Sequence, residues 1–138
     1  LQDPIDKYFP EIKHADGITI EHLLTHTSGL VSYTEKPDFY SLVTKPATPA
    51  EIIDQFKNDE LQFTPGTQYH YCNSGYVLLA DIVAKVSGQT FDAFLQDVFF
   101  KPLDLQNTGT FNNASPPEGI AKGYSYRDDK FVPAIDWD

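Results

Sequence analysis

The chain has 138 residues, 41% of them hydrophobic and 14% aromatic, enough to fold as one domain with a real core. A formal net charge of −10 with only 10 Lys and Arg excludes a nucleic-acid binder and a segment held on an anionic membrane surface. The single Cys72 cannot close an intrachain disulfide, no apolar run reaches the ~20 residues of a membrane span, and no signal peptide opens the chain.

Residues 1 to 17 read as an extended entry segment, because Pro4 and Pro10 discourage a long helix. Tyr8, Phe9 and Ile12 are its anchors to a core. Thr19 predicts the cap of a short helix holding Ile20, Leu23 and Leu24, with Glu21 in the first turn and Gly29 as terminator. A long loop from Leu30 to Pro46 carries Tyr33, Phe39 and Tyr40. Thr48-Pro49-Ala50-Glu51 is the clearest helix start: a capping box with proline at the first helical position, followed by Ile52, Ile53 and Phe56 on one face.

The best helix follows Asn73. Leu79, Ile82, Val83 and Val86 fall at i, i+3, i+4 and i+7, Asp81 and Lys85 form an i, i+4 pair, and Gly88 sits at the C-terminal cap. Thr90 opens another helix with Phe91, Phe94, Leu95 and Val98 in phase, ended by Pro102. Residues Asn107 to Gly119 have surface-loop composition, and Tyr124 to Pro133 read as a small hairpin around Asp128-Asp129. The fold class is mainly α (α+β): a single helical unit over residues 1–138 with a loop-rich or hairpin tail. Opening at Leu1 and ending at Trp137-Asp138, it reads as an excised piece of a longer protein.

Chemistry concentrates at Tyr71 and Asn73. In extended backbone, side chains at i and i+2 point the same way, so a phenol and an amide face one cavity. Tyrosine's ordinary pKa of about 10 makes it a poor base, but a neighbouring ammonium favours the phenolate and makes proton transfer feasible. An asparagine amide can accept from that ammonium and donate to a substrate carbonyl. On the tripeptide alone, an N-capping Asn73 and a half-buried Tyr71 account for the pattern more simply.

The wider pattern shifts that balance. Leu23-Leu24-Thr25-His26-Thr27-Ser28-Gly29-Leu30, then Phe63-Thr64-Pro65-Gly66-Thr67, then Tyr69-His70-Tyr71-Cys72-Asn73-Ser74-Gly75-Tyr76 resemble the middle of the serine β-lactamase and penicillin-binding-protein family. The class C and D-alanyl-D-alanine carboxypeptidase branch, with its esterases and D-aminopeptidases, is the most similar. The entry segment from Leu1 to Pro10 and the stretch Phe100-Lys101-Pro102-Leu103 resemble it too. That family builds its site from Ser-x-x-Lys, Tyr-x-Asn and a Lys-Thr-Gly or His-x-Gly strand. Only the second is present, as Tyr71-Cys72-Asn73, with Cys where Ser is more usual and expected to point away from the cavity.

The resemblance therefore implies the helical subdomain of a serine hydrolase whose nucleophile helix and α/β half lie outside this segment. Tyr71 and Asn73 would be its catalytic residues, with no metal and no cofactor. The parent would be an exported enzyme acting on a small-molecule β-lactam, an ester or a peptidoglycan-type peptide, and the segment's partner would be the rest of the parent chain.

Other readings compete. His22 and His26 have zinc-compatible i, i+4 spacing, but Leu23 stands where a metalloprotease carries its Glu, and structural roles fit both better. Thr27 and Ser28 read as helix-terminating residues, and Ser74 as a helix-start residue, because no Gly-x-Ser-x-Gly elbow surrounds it. Tyr33, Phe39, Tyr40, Tyr124, Tyr126 and Trp137 either line a groove or, the better reading for most, pack loops onto helices. At the level of the whole chain, a non-catalytic penicillin-recognising module and an acidic interaction domain are the alternatives to an enzyme.

Overall fold

Threonines set where three of the helices begin. In the computed structural model, which describes residues 1–111 and 116–134, Thr19 Oγ1 accepts from the His22 amide at 3.2 Å and His22 Nδ1 accepts from the Thr19 amide at 3.2 Å. This capping box, with histidine in place of Glu or Gln, starts α1 (Ile20–Leu24). At α3 (Pro49–Asp54), Glu51 Oε2 accepts from the Thr48 amide at 2.8 Å while Thr48 Oγ1 accepts from the Glu51 amide at 3.3 Å. The backbone N–H of Thr48, and then its hydroxyl, hold the Glu51 carboxyl below its ordinary pKa. Thr90 Oγ1 likewise accepts from Ala93 to start α5 (Phe91–Leu95). Between these lie α2 (Phe39–Leu42) and α4 (Asn73–Ser87).

The entry segment is more folded than extended. It makes 3₁₀ turns at Ile5–Lys7 and Ala15–Gly17, with Pro4 bridged to Thr19 and the Ile5 amide bonded to Ile18 O at 2.8 Å. Ile5, Phe9 and Ile12 are spaced by 4 and 3, so only a turned backbone buries all three on one side. Helix α1 ends earlier than Gly29 predicts: Thr25 caps it, and His26 takes the left-handed conformation at φ 56°. The expected plain loop from Leu30 to Pro46 contains α2 and a 3₁₀ turn at Tyr33–Glu35.

Helix α4 packs against α1, α3 and α5 and closes at Gly88, whose φ of 71° suits the cap. Its buried positions are Ser74, Gly75, Leu78 and Ile82, whereas Val86 is 68% exposed. The stripe of Leu79, Ile82, Val83 and Val86 is therefore rotated from the core face: Ile82 is buried, Leu79 packs partly buried against the core, and Val86 faces out. Ser74 and Gly75 lie on the buried face, where a Cβ at Gly75 would make ordinary contact with Leu23 at 3.6 Å. The predicted Asp81–Lys85 pair forms at 3.1 Å, and Lys85 Nζ also lies 4.4 Å from the Phe9 ring centre.

The stripe expected after Thr90 does not reach the core. Phe91 and Val98 are exposed, and beyond Phe91 α5 passes into a π-helical turn at Gln96–Phe100 in which Lys101 N donates to Gln96 O at 3.0 Å. An i+5 bond breaks the 3.6-residue period on which the stripe depended. Strands β1 (Tyr124–Arg127) and β2 (Lys130–Pro133) pair antiparallel, Arg127 opposite Lys130, as the hairpin reading anticipates. Asp128 and Asp129, at φ 50° and 58°, give the two-residue turn its primed handedness. Tyr124 and Tyr126 are exposed on β1, and Trp137 lies outside the described residues.

The core gathers Ile5, Phe9, Ile12, Ile18 and Leu23 with Leu30, Ile53, Phe56, Cys72, Leu78 and Ile82. Among the described residues, no helix is long and apolar enough to cross a membrane. Leu78→Ala, at a position 0% exposed, should cost ~2–5 kcal/mol in urea denaturation. Val86→Ala should stay within about 0.5 kcal/mol. Equal costs would mean that the outer stripe is the packed one.

Candidate active site

Two polypeptide segments, distant in sequence, build the site. The first runs from His26 to Thr34 after α1; the second is the approach to α4 from Gln62 to Ser74. Gln62 N donates to Gly29 O at 2.8 Å, Gly66 N to Thr27 O at 2.8 Å, and His70 N to His26 O at 2.9 Å. Gly29 has φ 76°, and a Cβ there would stand 2.2 Å from Phe63 O, so the close crossing requires glycine on both counts.

Hydroxyl groups complete the join. Ser74 Oγ donates to Val31 O at 2.8 Å and accepts from the Tyr33 amide at 2.9 Å. Ser32 Oγ accepts from the Asn73 amide at 3.1 Å, and Thr34 Oγ1 accepts from Asn73 Nδ2 at 2.9 Å. Asn73 is thus the first residue of α4 rather than its cap, a position taken by Cys72. Its side chain is locked by one N–H; the amide's second N–H and its oxygen enter no hydrogen bond among the described residues.

Asn73 stands in the wall of a cavity of about 530 Å³, together with Tyr33, Thr34, Phe39, Tyr40 and Ile52. Tyr33 and Phe39 meet edge to face at 5.9 Å, as do Phe39 and Tyr40 at 5.4 Å. Burial pushes the Tyr33 phenol above its ordinary pKa. These three aromatics both pack their loop and line the cavity.

Tyr71 points elsewhere. It is 57% exposed, its ring lies 4.4 Å from that of His26, and the cavity lining includes Asn73 without it. The i, i+2 rule stops at Cys72, because the backbone turns into α4 at Asn73. Cys72 is buried with Sγ donating to Leu30 O at 3.4 Å, directed away from the cavity as anticipated. Burial raises its thiol pKa.

The remaining candidates have structural partners. His22 closes the α1 capping box, and His26 Nδ1 accepts from the Cys72 amide at 3.2 Å. Ser28 and Ser74 are buried, the former accepting from Leu30 N at 3.3 Å. Sequence reasoning missed Ser32 and Thr34, which hold Asn73; the available signal was a pair of hydroxyls two residues apart just beyond His-Thr-Ser-Gly. It also missed His70, which lies between Gln62 Oε1 at 2.9 Å and Glu35 Oε1 at 3.3 Å.

This architecture is shared with solved hydrolases. A D-stereospecific amidohydrolase from a Streptomyces species matches at TM-score 0.86 and 29% identity, over 100% of this chain and 46% of that one. The helix-rich unit with its two-stranded sheet is accordingly part of the β-lactamase and transpeptidase fold of serine hydrolases. The sequence profile of the Beta-lactamase family matches residues 1–138, and the chain belongs to that family. Penicillin-binding protein 4* of Bacillus subtilis is 36% identical over 130 residues, 91% of this chain and 29% of that protein. A β-lactamase of Escherichia coli is 33% identical over 134 residues, 96% of this chain and 33% of that protein. The chain thus spans about a third of the length of these relatives.

Because Cys72 is the single cysteine and 2% exposed, the folded chain should react with a thiol-specific disulfide reagent at pH 8 at least about 100-fold more slowly than the chain in guanidinium, which should release one equivalent. Equal rates would place the thiol at the surface.

Proposed function

We propose that this chain is the helical subdomain of a serine acyl-transfer hydrolase, one wall of an active site completed by the rest of a longer protein. The observation that carries the reading is Asn73, fixed at the cavity wall by Ser32 and Thr34 with an amide N–H and oxygen still available. In the reaction, serine attacks an amide, lactam or ester carbonyl, the leaving group takes a proton as the C–N or C–O bond breaks, and water then hydrolyses the acyl-enzyme. Asn73 orients the substrate's amide through the free N–H and meets the lysine of Ser-x-x-Lys through its oxygen. Tyr71 shares proton transfer with that lysine. The apolar cavity beside Asn73 suits the substrate's side group, and β-lactams, D-amino-acid amides, D-Ala-D-Ala peptides and esters all have the reacting carbonyl.

Because these 138 residues contain no Ser-x-x-Lys, a second reading is a recognition module that keeps the scaffold without acylation. One experiment separates them. The 138-residue chain should hydrolyse a chromogenic cephalosporin and an activated ester no faster than buffer and gain no mass from a fluorescent penicillin. The full-length protein should turn over at least one of these substrates. In it, Tyr71→Phe should lower kcat/KM by about 10²–10⁴ and Asn73→Ala by about 10²–10³. Turnover by the short chain that Tyr71→Phe abolishes would overturn this division of the site. A full-length protein inert towards every acyl donor would favour the module.

A further inference from the structure

We propose that His26 is the positioning residue for Tyr71, a role that rests on the reading of Tyr71 as a proton-transfer group. Tyr71 is 57% exposed, so core packing does not fix it. An exposed tyrosine samples several rotamers, and a proton-transfer group must occupy one. The contacts that restrict it converge on a single residue. His26 O accepts from the His70 amide at 2.9 Å, and His26 Nδ1 accepts from the Cys72 amide at 3.2 Å. Both backbone neighbours of Tyr71 are thereby tied to His26, while the Tyr71 ring lies over the imidazole at 4.4 Å, tilted 36°.

The imidazole is itself braced. Tyr76, on the first turn of α4, stacks on it at 4.9 Å and 24°, and the Tyr76 hydroxyl donates to Leu24 O at 3.1 Å, which ties that ring to α1. Tyr69 meets it edge-on at 6.0 Å. The left-handed backbone of His26, φ 56°, turns its carbonyl and its ring towards the same segment. A non-glycine residue holds that conformation when its surroundings over-determine it, as they do here. An Nδ1 that accepts from Cys72 leaves the proton of the neutral ring on Nε2. Among common side chains, only an imidazole gives Tyr71 a flat ring to lie on and Cys72 a nitrogen acceptor from one Cβ. His26 touches no substrate in this scheme and acts through the orientation of Tyr71.

His26→Asn separates the two functions. Asparagine tolerates a positive φ and offers an oxygen near the position of Nδ1, but has no ring. In the full-length protein, with ring-labelled tyrosine and the Tyr71 resonance assigned from Tyr71→Phe, the variant should keep the wild-type denaturation midpoint. The Tyr71 resonance should move to the position of free tyrosine, and kcat should fall about 10–100-fold with KM within about twofold. An unmoved Tyr71 resonance, or full kcat in His26→Asn beside an impaired Tyr71→Phe, would overturn the positioning role alone. Full kcat in Tyr71→Phe would instead refute the catalytic reading on which it rests.

Discussion

The structure depends on how the N-terminus of α4 is satisfied. A helix opens with backbone N–H groups that have no intrahelical partner, and Cys72, at the cap, offers no side-chain bond to them. The Asn73 amide takes its acceptor from outside, from Ser32 Oγ at 3.1 Å, and Ser74 returns the favour by bonding Val31 O and the Tyr33 amide. Ser32 and Ser74 are both buried, so breaking either leaves an unpaired buried group at a cost of ~1–3 kcal/mol. The 31–34 loop is therefore not an accessory to the helix. Its Ser32 hydroxyl takes the first backbone N–H of the helix, its Thr34 hydroxyl takes the Asn73 side chain, and its position sets where Tyr33 and Thr34 stand relative to Asn73.

Features governed by neighbours in sequence were legible in advance. Thr19, Thr48 and Thr90 cap their helices because an N-cap bond spans three residues, and Gly88 closes α4 because its backbone is left-handed. The Asp128-Asp129 turn follows the same logic. What failed was inference of burial from periodicity. The buried face of α4 departs from the apolar stripe because Ser74 and Gly75, which count as polar or neutral in any hydrophobic pattern, are buried. The π turn after α5 has no sequence signature at all, and one inserted residue in the period moved Val98 out to solvent.

The site was half legible for the same reason. Tyr71-Cys72-Asn73 is legible as a motif, and the burial of Cys72 beside an exposed Tyr71 fits alternation along extended backbone. Alternation also implied that Tyr71 and Asn73 share a cavity. It fails one residue too soon, where helix geometry begins, so Asn73 enters the cavity wall and Tyr71 lies on His26. Ser32 and Thr34 hold Asn73 through contacts across 41 and 39 positions of sequence, so their local pattern of two hydroxyls does not say what they bind.

The two sides of the site differ in how firmly they are built. Asn73 rests on a helix in whose first turn Ser74 and Gly75 are buried, and three hydrogen bonds tie Asn73 and Ser74 to the 31–34 loop. Apart from Ile52 and Gln55, the rest of the cavity lining comes from the stretch between Tyr33 and Ala47, where Tyr40 is 78% exposed and the aromatics hold one another edge to face. Rigid elements position chemistry, whereas loops tolerate substitution and reshape pockets. A scaffold divided in this way can keep the orientation of an asparagine amide constant while its loop varies the group accommodated beside it. Proteins named as penicillin-binding protein, β-lactamase and D-stereospecific amidohydrolase are all similar to this chain, so one fold carries several of these names. Changes between Tyr33 and Ala47 that leave Ser32 and Thr34 in place would therefore reshape the cavity without moving the Asn73 amide.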